Sequence, residues 1–357
     1  MGVSSDISRK VQVLRAFAIV AVVFIHTCPD GVWQVLARPF VNFGVGLFLF
    51  LSGWLTRDGC SDWGKLCRKR ILRVMIPYVI WTVIYSFQKG TPDKILFNLL
   101  TTKASSALYY IFVYVQFVVL TPLLLRLARS RFRWLGLLVA PVSVVMCVYM
   151  PMILGFDLGK VGELVWNICC LGWFSFYYLG LLLGNGYAGL SGCEAVSDRV
   201  LQIERSRNCL LSFSLGLSVV LQIMEGWFWY EAGWPNCGSQ LKLTSILTTS
   251  VVLLLADNWL KSNGSSERIS VLSGDFNVSG RFSCFRGFQG VLTRIGDFSF
   301  GIYFVHISVI RFLQSFSRYE ALPFGLNTAL VAAISIVAVV LLSCLLGPRI
   351  SRLLGLQ

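Results

Sequence analysis

Charge is scarce in this sequence. Only 13% of its 357 residues are Asp, Glu, Lys or Arg, while 56% are hydrophobic, a balance that excludes an ordinary soluble domain and leaves lipid as the solvent. Histidine is scarcer still, with two in the whole chain, and there is no CxxC pair or Cys/His spacing suited to zinc. A structural zinc module is thereby excluded, and no metal is expected. No GxSxG elbow is present, which removes the serine hydrolases. Polar stretches of any length are confined to about 185–208 and 261–293. That leaves no room for an appended soluble domain, so 1–357 is expected to be a single membrane domain.

What fills the chain instead is apolar runs. Crossing about 30 Å of hydrocarbon takes roughly 20 helical residues, and ten runs approach that length: 11–28, 41–56, 74–88, 106–125, 134–153, 164–184, 209–228, 243–260, 295–314 and 326–347. The expected fold class is an all-α integral membrane protein of about ten transmembrane helices. Arg15 inside the first run, and CPDG after it, argue against a cleaved leader. The aromatics, 14% of the chain with eleven Trp, suit lipid contact and the two interfaces.

A net charge of +14 would suggest nucleic acid in a soluble protein, but its distribution follows the loops. Twenty-two Lys and Arg fall on the side of the N-terminus, eight on the other side, and Arg15 alone lies within a run. By the positive-inside rule both termini are cytoplasmic. The basic balance is topology, and no nucleic acid is expected. The sequons at Asn263 and Asn277 then lie in a cytoplasmic loop and escape glycosylation. The eleven cysteines read as reduced packing residues. Cys28 and Cys237 share the outer side, where a disulfide between them is open.

An ionisable residue at membrane depth is a functional candidate because burying it is expensive. His26 follows Arg15 by eleven positions on the first helix. Eleven steps of 100° end 20° past three full turns, so the two side chains share a face about 16 Å apart along the axis. From geometry alone this is either a snorkelling arginine with an interfacial histidine or one functional face linking both sides. Asp30 would orient the His26 ring if the helix continued, but Pro29 intervenes. Arg70 and Arg73, three apart at the expected start of the third helix, are either ordinary positive-inside charge or a cradle for phosphate made of guanidinium forks and a helix N-terminus. Glu225 is an interfacial charge or a contact for a sugar hydroxyl. A transporter or flippase for a sugar or lipid would also use intramembrane Arg and His, but it offers no reason for the basic pair at 70 and 73.

Four motifs carry a family resemblance. RKVQVLRAFAIVAVVFIH at 9–26 resembles the first helix of the acyltransferase 3 family, with its arginine, ten intervening residues and histidine. GVGLFLFLSGWL at 44–55, with Ser52 and Gly53, is similar to that family's second helix. KRILRVMIPY at 69–78 resembles its basic entry into the third, and SFGIYFVH at 299–306, with Tyr303 and His306, its late helix ending in histidine. The resemblance implies transfer of an acyl group, commonly acetyl, from cytoplasmic acyl-CoA as co-substrate to a hydroxyl of a sugar. The acceptor would be a surface glycan or its lipid-linked precursor, and the setting the inner membrane of a bacterium. It implies His26 as catalytic base, Arg15 orienting the donor or stabilising the carbonyl oxygen, and Arg70 and Arg73 holding coenzyme A. Ser52, Tyr303 and His306 stand as possible support, His306 being either a packing residue or a second base. Direct transfer and an acyl-His26 intermediate both fit these residues.

Overall fold

A computed structural model of the protein describes residues 5–59, 62–187, 198–262, 289–316, 319 and 322–356. The sequons at Asn263 and Asn277 lie outside the described residues. Those residues form helices and no strand: an all-α integral membrane protein.

Among the described residues, nine helical spans are long and apolar enough to cross a membrane, and a bent pair makes a tenth. The first is α1, Ser5–Thr27. Two short pieces, α2 (Val32–Leu36) and a 3₁₀ turn at Arg38–Phe40, lead into α3 (Phe43–Trp54), which completes the second. The third is α4 (Trp63–Gln88). It begins eleven residues before the apolar run, because Asp62 caps it by accepting from the Lys65 amide at 3.1 Å and the basic turns that follow are helical though not apolar. A short α5 (Ile95–Thr101) precedes the fourth, α6 (Tyr109–Arg129).

The fifth span is interrupted. Inside Arg133–Leu154 a 3₁₀ stretch is followed by α7 (Val139–Val144), a π-helical stretch at Val145–Tyr149 and α8 (Met150–Leu154). The sixth splits into α9 (Gly159–Ile168) and α10 (Phe174–Gly184). A backbone opened within a membrane needs internal partners, and Gln116 of α6 supplies them: its amide nitrogen donates to the Ile168 carbonyl at 2.6 Å and its oxygen accepts from the Cys170 amide at 3.1 Å. The seventh and eighth are α11 (Asp198–Glu231) and α12 (Leu243–Lys261). The ninth, read from the sequence as one run over 295–314, is α13 (Gln289–Asp297) and α14 (Ser299–Gln314) bent by 76° at Phe298. The last, α15 (Phe324–Leu353), kinks at Gly347, whose φ of 71° is left-handed, just before Pro348.

The centre of the bundle is the α3/α10 contact, and glycine makes it. A Cβ on Gly53 would stand 2.2 Å from the Tyr177 carbonyl oxygen, and on Gly180 2.2 Å from that of Phe50. The two backbones therefore touch in the small-residue manner that dominates helix association in lipid. Lipid meets the outer spans, where Phe213, Met224, Ile153 and Leu345 are exposed. At one end, the Lys10 ammonium donates to the Ser262 carbonyl at 2.6 Å, which brings the start of α1 to the end of α12, as alternate crossing requires.

Candidate active site

A cavity of about 880 Å³ lies within the bundle. It meets α1 at Arg15 and again at His26, and α4 at Arg73 and again at Lys89, sixteen residues or about 24 Å of helix further on. Its two ends differ. Arg15, Arg73, Ser52 and Asp297 mark one, hereafter the arginine end; Lys89, Lys103, Lys160 and Glu163 mark the other, the lysine end. Between them the wall is aromatic: Tyr109 stacks on Trp173, and Tyr110 packs edge-on against Tyr303 with 5.7 Å between ring centroids.

Helical period alone puts Arg15 and His26 on one face of α1, and that face is the one turned to the cavity. Tertiary contact supplies the remainder. The glycine at 296 lets the end of α13 press on the turn of α1 at Gln12, where a Cβ would stand 1.9 Å from the Gln12 carbonyl oxygen. Asp297 and Ser299, on either side of the bend, thereby reach the cavity. The Arg15 guanidinium touches Gln12 Oε1 at 3.4 Å and lies within electrostatic range of Arg73, Tyr110, Tyr114 and Asp297. No carboxylate forms an ion pair with Arg15 or Arg73 among the described residues.

The structure parts Arg70 from Arg73. Arg73 is exposed and lines the cavity. Arg70 instead donates to the Thr56 hydroxyl at 2.7 Å and lies over the Trp63 ring at 5.7 Å, while Thr56 donates to the Ser52 carbonyl at 2.7 Å. Its charge thus braces the C-terminal end of α3, where a cation is favoured. Nor do the two arginines stand at a helix start. The orphan amides of α4 lie at Trp63 under the Asp62 cap, two turns before Arg70.

The two histidines meet. The rings of His26 and His306 lie 5.2 Å apart between centroids, tilted by 50°. His306 is fully buried. Its Nδ1 lies 3.1 Å from the Ile302 carbonyl oxygen one turn earlier. A carbonyl only accepts, so Nδ1 carries the hydrogen, and Nε2 of the neutral ring is left as a bare acceptor. Nε2 is buried with no partner, on a ring packed against His26. His26, unlike His306, borders the cavity. Ser52 and Tyr303 border it too, the Tyr303 hydroxyl donating to the Ala107 carbonyl at 2.6 Å.

Several cavity residues are given no role by the sequence reading. Arg38, there only an outer-loop charge, donates to the Ile25 carbonyl at 2.9 Å beside His26, and its Nε is buried without a partner. Tyr109, Tyr110 and Tyr114 of α6 and Asp297 also line the space; an aromatic cluster at the start of α6 was the available signal. Other candidates lie elsewhere. Asp30 accepts from the Gln34 side chain rather than meeting His26, and Glu225 accepts from the Tyr149 and Thr244 hydroxyls, tying the fifth span to α11 and α12. Cys28 and Cys237 are both free, buried thiols.

A family model described as an acyltransferase domain, acyltransferase 3, matches residues 9–347. The chain belongs to that family. No curated protein and no solved structure matches it significantly. The match takes in all of the helices that wall the cavity, and the protein is a membrane acyltransferase.

Proposed function

We propose that this acyltransferase moves an acetyl group from acetyl-CoA, bound at the arginine end, to a hydroxyl of a sugar presented at the lysine end. The observation that carries the reading is one cavity lined by Arg15, Arg73 and His26 alike. The positive-inside distribution of Lys and Arg supports a cytoplasmic arginine end and cytoplasmic termini, so the donor enters from the side that holds coenzyme A. The setting is a bacterial plasma membrane, and the acceptor is part of a surface glycan or its lipid-linked precursor.

Each residue has a part in the step. Arg73 meets the phosphates of coenzyme A through charge-assisted hydrogen bonds, with Arg70 holding the end of α3 beside it. Arg15, about 16 Å from His26 along the axis of α1, orients the donor beside Arg73 rather than meeting the carbonyl that His26 serves. His26 accepts the proton of the acceptor hydroxyl as the oxygen attacks the carbonyl carbon. The carbon–sulfur bond then breaks, the proton passes from His26 to the departing sulfur, and the products are the O-acetyl sugar and free coenzyme A. During the reaction the bare Nε2 of His306 becomes the acceptor for the His26 ring N–H, which then fixes which His26 nitrogen faces the substrate. An acyl-His26 intermediate uses the same groups in two steps and is recognised by parallel ping-pong kinetics.

The test is turnover of acetyl-CoA by the purified protein in detergent, with a thiol reagent reading free coenzyme A. His26→Ala should lose turnover by roughly 10²- to 10⁴-fold while still binding donor. If the wild-type protein neither binds nor turns over acetyl-CoA or longer acyl-CoAs with any sugar supplied, the donor assignment is wrong.

A further inference from the structure

The lysine end of the cavity holds more positive charge than a sugar hydroxyl needs. Lys89 caps the end of α4, Lys103 follows α5, and Lys160 stands in the first turn of α9; Arg38 lies deeper, beside His26. These are four of the eight Lys and Arg outside the richer basic face, drawn from four separate chain segments to one cavity. Among the described residues, Glu163 is the one carboxylate lining this end.

None of the four cations has a carboxylate within ion-pair distance among the described residues. The Lys89 ammonium donates to the Lys103 carbonyl at 3.0 Å, and the Lys103 ammonium lies 5.6 Å from the Phe97 ring. These contacts orient the two groups and leave most of their N–H donors free. Between them Thr101, Thr102, Ser105 and Ser106 add hydroxyls, and Asn236 and Gln240 add amides. Like charges gathered in a cleft with low-dielectric walls focus a positive potential outward and raise the local concentration of anions.

We propose that the lysine end is a binding site for an acidic glycan, one bearing carboxylates or phosphodiesters, which Lys89, Lys103 and Lys160 hold while a neighbouring hydroxyl reaches His26. This rests on the acyl-transfer reading for its consequence but not for its test. The probes are dye-labelled tetragalacturonate, its fully methyl-esterified and hence neutral form, and a glycerol-phosphate tetramer. Binding of each to the full-length protein in detergent is measured at low and high salt, for wild type and for the triple variant K89Q/K103Q/K160Q. Coenzyme A binding and acetyl-CoA turnover are followed in parallel.

The expected result is that at least one acidic probe binds wild type roughly tenfold or more tightly than the neutral ester at low salt, an advantage that shrinks as salt rises. The triple variant should lose that advantage and keep its coenzyme A affinity. Which acidic probe wins identifies carboxylate or phosphodiester. Equal binding of acid and ester, binding of neither, or a triple variant that discriminates like wild type overturns the site. So does loss of coenzyme A affinity in the triple variant, which would give these lysines to the donor. Acidic-glycan binding without any coenzyme A binding or turnover upholds the site and refutes the acetyl-CoA donor instead.

Discussion

His306 touches no substrate in this arrangement, so its part in the reaction is separable from that of His26. The perturbation is His306→Phe, which keeps a ring in a fully buried position and removes both nitrogens. What His26 then loses is the bare acceptor on the ring 5.2 Å away, which during the reaction would take a buried hydrogen bond of about 1–3 kcal/mol. At 1.36 kcal/mol per decade of rate, kcat should fall by roughly 5- to 150-fold. KM for acetyl-CoA should stay put, because His306 does not line the cavity. His306→Gln, which offers an amide oxygen as acceptor, should recover part of the loss. The assay is thiol-detected release of coenzyme A, with melting temperature and size-exclusion profile confirming a folded protein. A double variant His26→Ala/His306→Phe should be no slower than His26→Ala alone, since groups acting through one another are not additive. Full activity in His306→Phe, or a further loss in the double variant, would refute the argument: the first makes His306 a space-filler, the second an independent actor.

Arg73→Ala should weaken acetyl-CoA binding by about 10- to 100-fold, the worth of one charge-assisted contact, as read by ligand-induced thermal shift. Arg70→Ala should chiefly lower the melting temperature, because its guanidinium holds Thr56; the reverse pattern would exchange the two roles. Gly180→Val puts a side chain where even a Cβ lies 2.2 Å from the Phe50 carbonyl oxygen and should abolish the monodisperse peak in size exclusion. Gly216→Val, with open space around it, should leave that peak intact. Asp58 is held below the usual carboxylate range, first by the hydrogen bond from Arg129 and then by those from Tyr187 and the Gly59 amide. Its stabilising contribution is therefore complete above the unfolded carboxylate value of about 4 and is lost as pH falls through the lower folded value. The melting temperature of Asp58→Asn should lie below wild type at pH 7 and converge with it in strong acid.

Much of the bundle is legible in the sequence because hydropathy and helical period are local properties. The ten apolar runs correspond to nine spans and one bent pair, and the Arg15/His26 face needed only the 100° step. The misreadings have physical causes. Hydropathy does not register the helical but basic turns from Trp63 to Arg73, so α4 seemed to begin beside the arginine pair. Three residues also leave Arg70 and Arg73 about 60° apart around the helix, enough to send one to Thr56 and the other to the cavity. The break at Phe298 is set by how α13 presses on α1 through Gly296, and the gathering of Arg38, Lys89, Lys103 and Lys160 by how four distant segments fold together. Neither is written in any single window of the chain.

A cavity that reaches toward both faces of a membrane is a liability wherever a potential is maintained, since each elementary charge crossing 100 mV carries about 2.3 kcal/mol. Water threading from the arginine end to the lysine end could conduct protons and drain that potential. The unpaired guanidinium and ammonium groups that line it raise the energy of hydronium and metal cations along its length, as basic groups do in pores that exclude them. Any residual conductance should therefore be carried by anions. The same charges thus act as a gasket against cations along the cavity.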